Sequence, residues 1–174
     1  MPCTQVLSGL AADCLGNIGG IKNVYISNHA DVTAITVTTD KISAITMASA
    51  AKFKKYAFKR GTGSMSSTLN VDAAAGTNYV STDLVLQFNR METTKRVEMT
   101  ALAQGELACI VEDMNGKFRY LGKDEPVSAT AGDGQTGTAR ADGNRYTLTL
   151  QDTSATWPLE IDSSAVTTDI VDSL

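Results

Sequence analysis

The clearest pattern along the chain is alternation. Residues 32–39 (VTAITVTT) and 145–153 (RYTLTLQDT) place apolar or β-branched side chains at every second position, the spacing of a half-buried strand. Read this way, strands are expected at about 21–27, 32–38, 41–47, 52–59, 63–71, 79–88, 106–113, 117–122 and 144–151. No helical stretch separates the early ones, so their pairing should be antiparallel. In the last, Tyr146, Leu148 and Leu150 share one face and Arg145, Thr147, Thr149 and Gln151 the other.

One segment carries a helical period. Over about 90–104, Met91, Thr94, Val97, Ala101 and Leu102 fall on one side, with Thr93, Arg96 and Thr100 opposite. Asn89 followed by Glu92 makes a capping-box-like start, and Gly105 offers a left-handed stop. The predicted product is an amphipathic helix lying over one side of the sheet.

Residues 106–122 (ELACIVEDMNGKFRYLG) then predict a hairpin. Asn115-Gly116 is the preferred pair for a two-residue turn with positive φ at both positions. That turn sets Met114 opposite Lys117, Glu112 opposite Arg119, Val111 opposite Tyr120 and Ile110 opposite Leu121, matching charge with charge and apolar with apolar. Residues 123–144 hold many turn formers and no apolar period, and read as a long loop with a short strand near 136–140.

The ends differ from the middle. Residues 1–20 are small and close on Gly19-Gly20, which predicts an N-terminal arm. Residues 152–174 contain five acids and neither Lys nor Arg, leaving the remainder of the chain close to neutral; they predict an acidic C-terminal arm. Between them, 21–151 makes one β domain, consistent with a chain of 174 residues. No apolar run is long enough to cross a bilayer, and no basic-then-hydrophobic leader opens the chain, so neither membrane insertion nor export by a standard signal is expected. The AADC at 11–14 lacks the preceding hydrophobic stretch a lipidation site needs.

Candidate chemistry is sparse. His29 is the single histidine, in a stretch between two strands with no evident nucleophile beside it. Glu112 and Asp113 are successive strand residues and point to opposite faces. Cys3, Cys14 and Cys109 show no metal-ligand spacing; Cys109, within LACIV, reads as a buried thiol, while Cys3 and Cys14 would pair only outside a reducing compartment. The Gly- and Asp-rich runs at 131–137 and 141–144 lack both the acidic ligand series of a calcium loop and the terminal GKS or GKT of a phosphate loop. No catalytic residue, metal or cofactor is expected.

Residues 52–61 (KFKKYAFKRG) interleave five cations with three aromatics. Such a run can stack bases and neutralise phosphate. A sequence pI near 4.9 favours instead a strand with snorkelling lysines. Lys54, Lys55, Lys59 and Arg60 are then expected to meet the acidic arm of a neighbouring copy, with Trp157, Glu160 and Asp162 on its side of the contact. Residues 61–82 are small and nearly uncharged, suited to lying on another subunit or projecting as a hairpin.

Residues 83–122 (DLVLQFNRMETTKRVEMTALAQGELACIVEDMNGKFRYLG) and 136–150 (TGTARADGNRYTLTL) carry a resemblance. The strand, helix and hairpin they form resemble the tail tube (major tail) proteins of tailed bacteriophages, and the local sequences resemble virion proteins of phages infecting Bacteroides-type gut bacteria. The resemblance implies an antiparallel β-sandwich or barrel flanked by one helix, with subunits forming hexameric rings that stack into a tube. It implies that inner strands of neighbours continue one sheet around the lumen and that arms bridge rings. The partners implied are other copies of the chain, other tail or connector proteins of the virion, and DNA in transient, non-specific passage, after assembly in the host bacterial cytoplasm. Head-tail connectors, ring proteins and tail terminators share the implied fold; a carbohydrate-binding module of a tail fibre is the alternative of another kind.

Overall fold

The most constrained segment of the structure is LACIVED, because it has no face left for water. In the computed structural model, which describes residues 7, 9–12 and 14–172, the strands are β1 (Ile21–Asn28), β2 (Val32–Thr38), β3 (Lys41–Met47), β4 (Lys54–Tyr56), β5 (Ser64–Asp72), β6 (Thr77–Asn89), β7 (Leu107–Asp113), β8 (Phe118–Leu121), β9 (Ser128–Gln135), β10 (Arg145–Ser154) and β11 (Leu159–Ile161), with one helix α1 (Thr93–Gln104). They form a seven-stranded sheet in the order β2-β3-β11-β8-β7-β1-β4 and a four-stranded sheet in the order β5-β6-β10-β9. The chain is therefore mainly β, with two sheets and one helix.

Alternation along β7 feeds two separate cores. Leu107, Cys109 and Val111 point toward the four-stranded sheet and pack with Val24, Ile26, Leu84, Leu86, Leu148 and Leu150. Ala108 and Ile110 point the other way, into a cluster with Tyr25, Ile42, Phe53, Tyr120 and Ile161. Both faces being apolar explains the uninterrupted run of sequence, which in a one-faced strand would alternate with polar residues.

The second cluster is roofed by residues predicted to be an arm. Thr153 and Ser154 finish β10, and β11 inserts between β3 and β8, parallel to the first and antiparallel to the second. A following turn buries Ala165, Val166 and Val171. Phe53 bridges Val171, donating its N–H to the Ile170 carbonyl at 2.8 Å and accepting from Asp172 at 2.9 Å. The acidic-arm expectation fails because the acids are interspersed with apolar residues that need burial, whereas most of the carboxylates stay at the surface.

The hairpin also departs from expectation. Its register is Glu112↔Phe118, Val111↔Arg119, Ile110↔Tyr120 and Cys109↔Leu121, one residue away from the predicted pairing. Asp113 closes a longer loop: its N–H donates to the Lys117 carbonyl, and its Oδ1 accepts from the N–H groups of Asn115 and Lys117. Only Gly116 of the pair has positive φ, at 76°, so the loop has three residues with the glycine in the left-handed position. Glu112 is consequently not opposite Arg119; it binds Lys22 and Asn23 on β1, each at 2.6 Å.

The helix caps differ too. Asn89 belongs to β6, paired with Arg145, and cannot cap. Glu92 is the N-cap position but makes no side-chain cap bond. Asn144 serves the junction instead, its carbonyl and Oδ1 accepting from the N–H groups of Arg90 and Met91. Arg90, at φ 63°, makes the reversal. The helix turns Leu102 and Met99 toward the core, while Val97, expected on the same side as Leu102, is 56% exposed. Gly105 is extended (φ −87°) rather than left-handed; a Cβ there would lie 3.0 Å from Leu107 Cδ2 and 3.2 Å from the Ala101 carbonyl oxygen.

Strand β9 occupies sequence read as loop. Its Ser, Ala, Gly and Thr residues show no apolar period, and its register comes from β10. β4, conversely, is shorter than its predicted 52–59.

Ile110→Ala should cost about 2–5 kcal/mol in urea unfolding, whereas Val97→Ala should be close to neutral. Gly116→Ala should cost about 1–2 kcal/mol, because alanine must then adopt a left-handed conformation.

Candidate assembly surfaces

Three of the four edge strands are long: β2, β5 and β9. Edge strands offer unpaired backbone N–H and C=O groups, which single-copy proteins commonly guard with lysine or proline. Here β2 has no charged residue, β5 has only Asp72 and β9 only Asp133, and none of the three contains proline. The β5–β6 hairpin continues beyond the last β10 pair, Ser154↔Val80, with Leu69, Val71 and Tyr79 exposed near its end.

The four-stranded sheet has contrasting faces. Leu84, Leu86, Leu148 and Leu150 are buried against the other sheet. The strand period puts Ser66, Thr68 and Asn70 of β5, Tyr79, Ser81, Asp83, Val85 and Gln87 of β6, and Thr147, Thr149, Gln151 and Thr153 of β10 on the outer face. Gln151 Nε2 donates to Asp83 Oδ1 at 2.8 Å and Asn70 Nδ2 to Ser81 Oγ at 3.1 Å, knitting that face together. Its carboxylates are Asp72, Asp83 and Asp133; the paired positions supply one cation, Arg145, at the end.

A groove of about 520 Å³ runs between α1 and β9, lined by Met99, Ala103, Ala129, Ala131, Tyr146 and Leu148. Gly134 helps to shape it: a Cβ there would meet the Tyr146 ring at 3.0 Å.

The residues predicted to join basic segment and acidic arm between copies are largely engaged within one chain. Lys54 binds Asp172 at 2.7 Å, and Lys52 Nζ donates to the Thr168 carbonyl at 2.6 Å. Lys55 Nζ stands 6.0 Å from the centre of the Tyr25 ring. Glu160 accepts from Lys41 and Lys117, both at 3.0 Å, and these cations hold its carboxyl below the usual range. Asp162 accepts from the N–H and hydroxyl of Ser164, whose hydrogen bonds lower its pKa. Lys59, Arg60 and Trp157 stay exposed. Lys54 and Asp172 meet inside the chain, where Phe53 and Val171 bring the two segments side by side.

Among the described residues, no three His, Cys, Asp or Glu side chains gather as a metal site. His29 lies in a short 3-10 turn between β1 and β2. Cys109 is buried, which pushes its thiol pKa up; Cys14 is exposed, and Cys3 lies outside the described residues. No helix of the described residues is long and apolar enough to cross a membrane.

A carboxylate pair that sequence reading missed ties β10 to the turn after β8. Asp152, only 2% exposed, accepts from the Gly122 N–H at 3.0 Å, and burial raises its pKa despite that bond. Asp124 accepts from the Ala155 N–H and the Ser154 hydroxyl, and these bonds lower its pKa.

The fold thus defines a two-sheet β domain with a single helix and open edges. Compared with known proteins, the chain matches no family model, no curated protein and no solved structure.

Because the folded pKa of Asp152 lies above its unfolded value, its contribution to stability is complete below the unfolded pKa and is lost as pH rises through the folded one. Asp152→Asn keeps an acceptor for Gly122 and removes the titration. Denaturation midpoints at pH 4 and pH 8 should therefore show the variant gaining on the parent as pH rises.

Proposed function

We propose that this chain is a structural subunit of a phage tail tube, forming hexameric rings that stack into a conduit for DNA. The observation that carries the reading is the four-stranded sheet, whose edges β5 and β9 are open and whose outer face is polar, acidic and nearly free of cations. In a ring, β9 of one copy pairs with β5 of the next, and the four-stranded sheets become one closed surface with no edge left over.

The outer face then lines the channel. DNA carries about one negative charge per 1.7 Å of duplex, and each lysine or arginine that neutralises a phosphate adds affinity. A lining mostly of Ser, Thr, Asn and Gln, with Tyr79, Val85 and a few carboxylates, gives passing phosphate little to hold. A net charge of −4 per subunit adds weak repulsion. The resemblance of residues 83–122 to tail tube proteins supports the same reading. Ring formation through the sheet edges does not require the Lys54–Asp172 contact, which is made within the chain.

Negative-stain microscopy of the purified protein should show rings or tubes with a central hole. Lysine at Thr68 and Ala131, placed on the two edges, should raise the concentration needed for assembly at least about tenfold through like-charge repulsion, roughly 1.4 kcal/mol, while far-UV circular dichroism stays unchanged. A chain that remains monomeric at high concentration refutes the proposal.

A further inference from the structure

We infer that Asn115 is a site of spontaneous covalent modification, converting with Gly116 through a succinimide to aspartate or isoaspartate, and that the conversion releases the base of the N-terminal arm from the β7–β8 hairpin. The inference concerns each molecule singly and does not depend on assembly.

The chemistry is set by the residues at the hairpin tip. Of the asparagines in the chain, Asn115 is the one followed by glycine. A side chain on the following residue crowds the approach of its backbone nitrogen to the asparagine amide carbon, and glycine has none. Both residues are exposed, and a Cβ at Gly116 would find nothing within 4 Å, so water reaches the pair. In the reaction the Gly116 nitrogen gives its proton to solvent and bonds to Asn115 Cγ. The Cγ–Nδ2 bond breaks, and ammonia leaves with a proton taken from solvent. One water then opens the ring at either carbonyl, and no other co-reactant enters.

The fold restrains both reacting groups. The Gly116 N–H donates to the Asp113 carbonyl at 3.1 Å. Asn115 Oδ1 accepts from the Ile18 N–H at 3.0 Å, while its Nδ2 donates to the Ile18 carbonyl at 3.2 Å and to Asn17 Oδ1 at 3.1 Å. The planar amide thus clasps residues 17–18 with both its ends. Attack makes Cγ tetrahedral and departure of Nδ2 breaks its two bonds, so the reaction proceeds from the open clasp.

Once made, the product cannot close the clasp again. A carboxylate accepts but does not donate, and it would set oxygen against the oxygens of the Ile18 carbonyl and the Asn17 side chain. It also adds negative charge beside Asp113, whose Oδ1 accepts from the N–H groups of Asn115 and Lys117. Residues 17–18 border a cavity of about 330 Å³ whose other walls include Met65, Val111 and Arg119. Their release opens that end of the first core to water, and the change runs one way.

The test incubates the full chain at mildly alkaline pH, native and in guanidinium chloride. Peptides containing residue 115 are followed by mass spectrometry with fragmentation that separates aspartate from isoaspartate. Asn115 should convert in both, roughly tenfold more slowly in the native chain, as a local opening against a few hydrogen bonds requires. Ile18→Pro, which removes the N–H given to Oδ1, should recover most of that difference with unchanged circular dichroism. In Asn115→Asp, hydrogen exchange at Ile18 should rise about tenfold, while exchange within β7 stays as in the parent. A native chain that keeps Asn115 fully amidated after the unfolded chain has converted would overturn the inference. So would equal rates in native and unfolded chains, an Ile18→Pro variant that folds and converts no faster than the parent, or unchanged exchange at Ile18 in Asn115→Asp.

Discussion

Burial of β7 on both faces is the constraint from which the rest of this structure follows. A strand of seven residues whose side chains are apolar on alternate sides needs two layers above it, and one chain must supply both. The four-stranded sheet covers Leu107, Cys109 and Val111. Phe53 and the segment around Ala165–Val171 cover Ala108 and Ile110. Either layer alone would leave leucine- and isoleucine-sized surface in water, at roughly 25 cal/mol per Å². This demand explains why residues so rich in carboxylates are drawn to the body of the domain: the apolar residues set their place, and the acids find partners there.

Charge follows packing in the same way. Lys54 with Asp172 and Lys41 with Lys117 around Glu160 are surface pairs, each worth little alone. They lie where sheet and C-terminal segment meet, and they select that arrangement without driving it. Glu112 is different, being buried and held by two donors on β1. Its carboxylate fixes the register of β1 against β7 near the arm's anchor. The outer face of the four-stranded sheet contains almost none of these cations, so the domain concentrates its basic groups on other surfaces.

Much of the architecture was legible in the amino-acid order, and the failures have physical causes. Alternation, and for β7 an uninterrupted apolar run before an Asn-Gly turn, located β1, β2, β3, β5, β6, β7, β8 and β10, because most of those strands carry β-branched or bulky apolar residues that a core must sort by face. β9 was invisible because small residues give no period; its conformation is imposed by its neighbour. The hairpin sequence indicated a turn but not its length, since Asp113 stabilises a three-residue loop through side-chain acceptors that a rule based on Asn-Gly alone omits. Asn89 looked like a cap only while its pairing with Arg145 was unknown. At the surfaces, the basic and acidic segments were expected to meet between copies; Lys54 pairs with Asp172 within the chain, while Lys59 and Arg60 stay exposed. Opposite charge predicts attraction, and only the apolar pair Phe53 and Val171 says on which chain it is satisfied.

The contact that roofs the second core joins positions far apart in the chain: Lys54 and its partner Asp172 are separated by 118 residues. Contacts of such long range form late and slow the search for the native state. Until they form, the side of β7 that carries Ala108 and Ile110 lacks part of its cover. If the edges pair as proposed, the body of each molecule has to finish folding before molecules meet, because the same uncharged edges also invite disordered pairing.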